Sequence, residues 1–142
     1  MELTKRPDAV DFNDDVDGGG DLFLRVIAST VEDAALTLGV TLCVNGLVVT
    51  GTLVSRKQYL NDLVSGLEQG QGLAPQFGEV LGTNASKLVS PLKPRELVSN
   101  LCLVDVTLYG GGRPIGHPGP WRVAVEHVSA WTLGAIRFGE DT

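Results

Sequence analysis

The side chains that could do chemistry are few and scattered in this 142-residue chain. Its two histidines, His117 and His127, are too few for a metal cluster, and no cysteine or carboxylate stands at ligand spacing around them. Asp11-Phe12-Asn13-Asp14-Asp15-Val16-Asp17 has the acidity of a calcium loop but lacks its glycine and its closing bidentate glutamate. Gly110-Gly111-Gly112-Arg113 could cradle a phosphate only if it opened a helix, whose free N–H groups would hold the anion. A strand-like run precedes it and Pro-rich turn residues follow, so it reads as a flexible turn. Serines are plentiful, yet no Gly-x-Ser-x-Gly elbow occurs. The carboxylates Asp62, Glu68, Glu79, Glu96, Asp105 and Glu126 form no evident acid/base pair. These readings assign no catalytic, cofactor-binding or metal-ligating residue.

Large aromatic side chains are the remaining candidates, as anchors for a partner. Trp121 and Trp131 are the only tryptophans, and Tyr59 leads a helical stretch. Each can pack in the core or at its rim, or bind a partner, because tryptophan and tyrosine are enriched at binding hot spots. Cys43 and Cys102 lie in apolar, strand-like runs and read as reduced structural thiols.

Net charge is −6, which disfavours nucleic acid as a partner, since phosphate contacts need clustered Lys and Arg. The charge is confined to the ends. Residues 1–20 hold six acids and two bases, residues 140–142 hold two acids, and residues 21–139 balance nine against nine. Residues 1–20 read as a disordered acidic arm that solubilises the chain, meets a basic partner or repels neighbouring molecules. Residues 140–142 read as an acidic tail. No window approaches the roughly 20 apolar residues of a membrane span. The start of the chain shows no apolar signal segment, so a cytoplasmic location is expected.

The elements that must position the candidates follow from periodicity. Asp21 is a natural N-cap for an apolar stripe at spacings of three and four: Leu22, Phe23, Val26, Ile27, Thr30 and Val31. Glu32 and Asp33 oppose the negative end of a helix, which predicts a stop near Thr30. The period then falls to two through Leu36, Leu38, Val40, Leu42 and Val44. Asn45-Gly46 predicts a type I′ hairpin turn, and Leu47–Val54 the return strand, bent at Gly51. Ser55 and Gln58 predict a capping box opening a second helix near 56–69. Residues 70–96, rich in Pro and Gly, read as a surface excursion with mobility expected and a short helical turn around Phe77, Val80 and Leu81. Strands are predicted over Leu97–Tyr109, Trp121–Val128 and Ala130–Phe138. In the first, Cys102, Val104, Val106 and Leu108 share one face, and Asp105, Thr107 and Tyr109 the other. The expected fold is one α+β domain over 21–139. It is built on five mainly antiparallel strands in a curved sheet or an Sm-like barrel.

The run Val40-Thr41-Leu42-Cys43-Val44-Asn45-Gly46-Leu47-Val48-Val49-Thr50-Gly51-Thr52-Leu53-Val54-Ser55-Arg56-Lys57-Gln58-Tyr59 resembles the gas vesicle accessory protein U family (GvpU). The order strand, Val-Asn-Gly, strand with Gly-Thr, Ser and aromatic-led helix is the same. Trp121-Arg122 and Leu133-Gly134-Ala135-Ile136 also resemble the family's ending. The likeness covers roughly 21–69 and 97–138. It implies a non-enzymatic, gas-vesicle-associated protein without a cofactor, which binds shell or assembly proteins or itself. The alternative expectation is an Sm-like small barrel that binds RNA or another ligand. Such a ring would need a basic pore, which the neutral middle of the chain does not supply.

Overall fold

The computed structural model describes residues 20–69 and 75–134. The acidic arm and tail expected at the two ends lie outside those residues. Asp21 caps the first helix, α1 (Leu22–Ala34), its Oδ1 accepting from the Leu24 N–H at 3.1 Å. α1 does not stop at Thr30. It runs one turn further because Glu32, unfavourable at the end of its own helix, serves the start of the next. The Glu32 carboxylate accepts the Arg56 N–H at 2.9 Å and lies 3.2 Å from the Arg56 guanidinium. It therefore sits at the positive end of the second helix, α2 (Arg56–Glu68). α1 closes with Ala35 in the left-handed region, φ 52°, and the Leu36 N–H bonded back to the Val31 carbonyl.

The hairpin forms as its sequence predicts. β1 (Leu38–Val44) and β2 (Leu47–Val54) pair antiparallel around Asn45 and Gly46, both with positive φ. Ser55 caps α2 by accepting from the Gln58 N–H at 3.2 Å. The Gln58 side chain does not return to complete the capping box but donates to Asp62 Oδ1 at 2.9 Å. Within the stretch expected as an excursion, α3 (Pro75–Thr83) contains the helical turn foreseen around Phe77, and a single turn, α4 (Ala85–Leu88), follows. Gly78 lets α3 approach α2 closely, for a Cβ there would come within 2.8 Å of Leu67 Cβ.

β3 (Asn100–Gly110), β4 (Arg113–Gly116), β5 (Trp121–Ala124) and β6 (Val128–Leu133) complete the sheet. The order is β4-β3-β2-β1-β6, with β5 also paired to β3, and every pairing is antiparallel. The fold is thus α+β as expected, but with six strands among the described residues. β4 was hidden inside a stretch that reads as turn, because Pro114 and Gly116 have no strand signature. The sheet is open and does not close into an Sm-like barrel. The fourth expected strand is shorter than its pattern, since Val125–His127 turns into one 3-10 turn that leads into β6.

Both faces of the sheet are apolar. On one, Leu24, Ala28 and Val31 of α1 pack on Val40, Leu42, Val49, Leu53, Leu101, Leu103, Val106, Val123 and Val125. On the other, Val54, Cys102 and Val104 pack with Tyr59 of α2. The strict alternation expected in β3 fails at Asp105. Two β3 residues there, Asp105 and Val106, oppose the single residue Gly51, and the register shifts. Asp105 takes a left-handed φ of 53° to make the bulge. As a result Val106 and Leu108 face α1 with Leu101 and Leu103, while Cys102 and Val104 share the opposite face with Thr107 and Tyr109.

Gly51 is the residue this bulge requires. A Cβ there would lie 3.0 Å from the Val104 carbonyl oxygen and 3.3 Å from Val106 Cγ2. Gly51→Ala is expected to lower the unfolding free energy by roughly 1–3 kcal/mol, the usual cost of overpacking. Denaturant unfolding of the two proteins checks this, and equal midpoints would remove the close approach from the account.

Candidate functional site

The three aromatic candidates do not converge. Trp131 stands on β6 at one edge of the sheet, and Trp121 on β5, which pairs with β3 beyond β2 and β1. Both pack against the core beneath α1. Tyr59 lies on α2 over the opposite face. Trp131 has a defined structural role. Its indole N–H donates to Asp21 Oδ2 at 2.9 Å, so one carboxylate caps α1 and ties it to β6. Phe23 meets the Trp131 ring edge to face, with centroids 5.7 Å apart. Phe23 and Leu133 are large apolar side chains about half exposed beside it.

Around Tyr59 the face is drier. Cys102 is buried at 3% exposure, and burial raises its thiol pKa above the ordinary value, opposed in part by Arg122. Burial likewise raises the Tyr59 phenol, with Cys102 adding to the effect and Arg122 reducing it. A thiol held in its neutral form is a poor nucleophile, so Cys102 behaves as a packing residue. Cys43 and Cys102 are both free thiols, on strands separated by β2.

Further along the same face, α2 and the sheet part to leave an open groove of about 660 Å³. Asp62, Ser65, Gly66 and Gln69 form its helical wall. Their spacing of i, i+3, i+4 and i+7 places them on one face of α2. None has an apolar side chain able to fill the space above the sheet. The bulged residues 104–107 of β3 make the floor, and residues 117–120 the far wall. His117, just after β4, stands there with a 3.1 Å hydrogen bond between its Nδ1 and the Thr107 hydroxyl. His127 is exposed, its Nε2 lying 3.9 Å from Glu126. Among the described residues, no three His, Cys, Asp or Glu side chains gather as a metal site. Sequence reasoning missed the groove. The polar stripe of α2 was its visible signal, but nothing local shows that its edge borders β3 while Ser65 and Gln69 stay exposed.

The arrangement is that of an α+β domain with an open antiparallel sheet, a helix on each face and an open groove of mixed lining beside α2. Residues 21–136 match the family model described as "Gas vesicle protein GvpU-like". The match spans most of the chain, which therefore belongs to this family of gas vesicle proteins. Neither the curated proteins nor the solved structures yielded a match. No described helix is long and apolar enough to cross a membrane.

Buried Cys102 and the partly buried Tyr59 set an alkaline limit. Both groups hold their protons more tightly in the fold than in the unfolded chain. Their contribution is therefore complete below the ordinary values of 9.0 and 10.0, and is lost as pH rises through the raised ones. Unfolding free energy is expected to fall as pH rises above about 9, and less steeply in a C102A/Y59F variant. Denaturant melts across that range measure it, and identical slopes for the two proteins would contradict the assignment.

Proposed function

We propose that this chain is a non-enzymatic accessory protein that works by binding. Its partners are gas vesicle shell or assembly proteins, further copies of itself, or both. Through them it modulates vesicle assembly or clustering. The observation that carries this reading is the family match over residues 21–136. The place of action would be the cytoplasm, at the vesicle. The RNA-binding alternative rested on a closed small barrel, and the open sheet withdraws that support.

Contacts of this kind bury aromatic and aliphatic side chains. Trp131, with the exposed Phe23 and Leu133 beside it, offers such a set on the α1 side of β6. Trp121 and Tyr59 are only partly buried and are proposed as further contacts. The expected outcome is that the protein rises with purified gas vesicles when they float in a centrifugal field. A F23A/L133S variant, altered only at exposed positions, should rise with them at least several-fold less. Failure of the unaltered protein to accompany vesicles, at low and at physiological salt, would overturn the reading.

A further inference from the structure

The two borders of the sheet differ in how their backbones are protected. β4 and β5, which border β3, are four residues long each and carry Arg113, Pro114 and Arg122. Short length, charge and proline are devices that keep a sheet edge from pairing with another chain. β6, at the other border, has six residues and no charged residue, proline or glycine among them. Among the described residues it pairs with β1 alone.

The register shows which backbone groups β6 leaves over. The Gly134 N–H donates to the Gly39 carbonyl at 2.7 Å, and Leu133, Thr132 and Trp131 lie opposite Val40, Thr41 and Leu42. Bonding alternates along an antiparallel pair, so Gly134 and Thr132 turn their N–H and C=O groups toward β1. Those of Trp131 and Leu133 point out of the free edge. The side chains of the same two residues lie on the α1 side, where Leu133 is 50% and Phe23 46% exposed. Open backbone groups and uncovered apolar side chains therefore coincide.

A second copy of β6 matches this edge. With the strands antiparallel and Thr132 opposite Thr132 on a two-fold axis, Trp131 of each copy stands opposite Leu133 of the other. Each such pair exchanges both of its N–H···O bonds, and the apolar side chains of the two copies meet on one face beside the Phe23 rings. Because β6 carries no charge, an identical strand meets no like charge across the pairing. Along a strand of about 20 Å the contact covers on the order of 300 Å² per copy, below the roughly 800 Å² of a standard stable interface. Such a dimer is weak and reversible.

We propose that β6 pairs with β6 of a second copy, Thr132 facing Thr132, so that two sheets join into one across a reversible dimer. The inference rests on the accessory reading for self-binding as a means of action, and it names the surface and the register.

Sedimentation velocity of the full chain, from micromolar to about millimolar concentration, reads the association. The mean mass should climb from 15.0 kDa toward twice that value. L133K puts a charge on the exposed edge and should weaken the dimer at least tenfold. Cross-linking reads the register independently, in a C43S background that leaves only the buried Cys102. Thr132 and Ala130 are both exposed and share one side of β6. T132C sets two thiols on a non-hydrogen-bonded pair with Cα atoms about 4.5 Å apart, within disulfide range. A130C leaves them about 13 Å apart along the strand. With oxidised glutathione as oxidant, T132C should link at least tenfold faster than A130C. A chain that stays monomeric at millimolar concentration, an L133K variant that associates as strongly as the unaltered chain, or equal linking of T132C and A130C would each overturn the proposal. None of these readouts uses vesicles, so a chain that floats with vesicles yet stays monomeric fails the dimer and keeps the accessory reading.

Discussion

A six-stranded sheet with two apolar faces cannot stand in water unless both faces are covered, and here different helices cover them. α1 lies on one face and α2 on the other, with α3 packed against α2. The point where the two coverings meet is Glu32 with Arg56. The Glu32 carboxylate lies in the last turn of α1 and accepts the first N–H of α2, while the Arg56 guanidinium beside it also donates to the Ser90 carbonyl. One partly buried pair thus joins α1, α2 and the linker that returns to β3. Ser29 extends the linkage. Fully buried in α1, it donates to the Arg25 carbonyl and accepts the Val98 N–H that leads into β3. Asp21 closes the other end of α1 onto Trp131.

The groove is a consequence of the same division. α2 is anchored at its start by Glu32 and Ser55, and seated on the sheet by Tyr59. Beyond Tyr59 the α2 positions that border the sheet are Asp62, Ser65, Gly66 and Gln69, of which Ser65 and Gln69 are exposed. The bulge at Asp105 bends β3 where the helix loses its packing residues. Helix and sheet therefore diverge, and the space between them is open to solvent.

Much of the fold was legible because it rests on local rules. The Asn45-Gly46 turn needs positive φ at both residues, and few sequences satisfy that as well. Asp21 and Ser55 announce their helices as caps. The strand periodicity of β1 and β2 is unambiguous. What escaped was set by tertiary contact. Glu32 looks like a helix terminator until Arg56 is seen beside it, so α1 was read too short. Alternation in β3 is broken by one extra residue, and a bulge leaves no mark in sequence except Gly51 on the opposing strand. β4 is too short and too rich in Gly and Pro to declare itself. The tryptophans were read as able to pack or to bind, and the structure brings both against the core, with the Trp131 N–H held by the helix cap. The family likeness, carried mainly by the hairpin and its flanks, extends through residues 21–136.

The claim on which this account depends is that the Glu32–Arg56 pair couples the coverings of the two faces. A double-mutant cycle measures it directly. E32Q keeps an acceptor for the Arg56 N–H, and R56M keeps most of the apolar stem. Denaturant unfolding of the unaltered protein, both single variants and the double variant gives the interaction energy. For a pair with side chains 12% and 27% exposed, a coupling of about 1 kcal/mol or more is predicted. A value below about 0.3 kcal/mol would show that the two variants act independently, and that the helices are held by apolar packing alone.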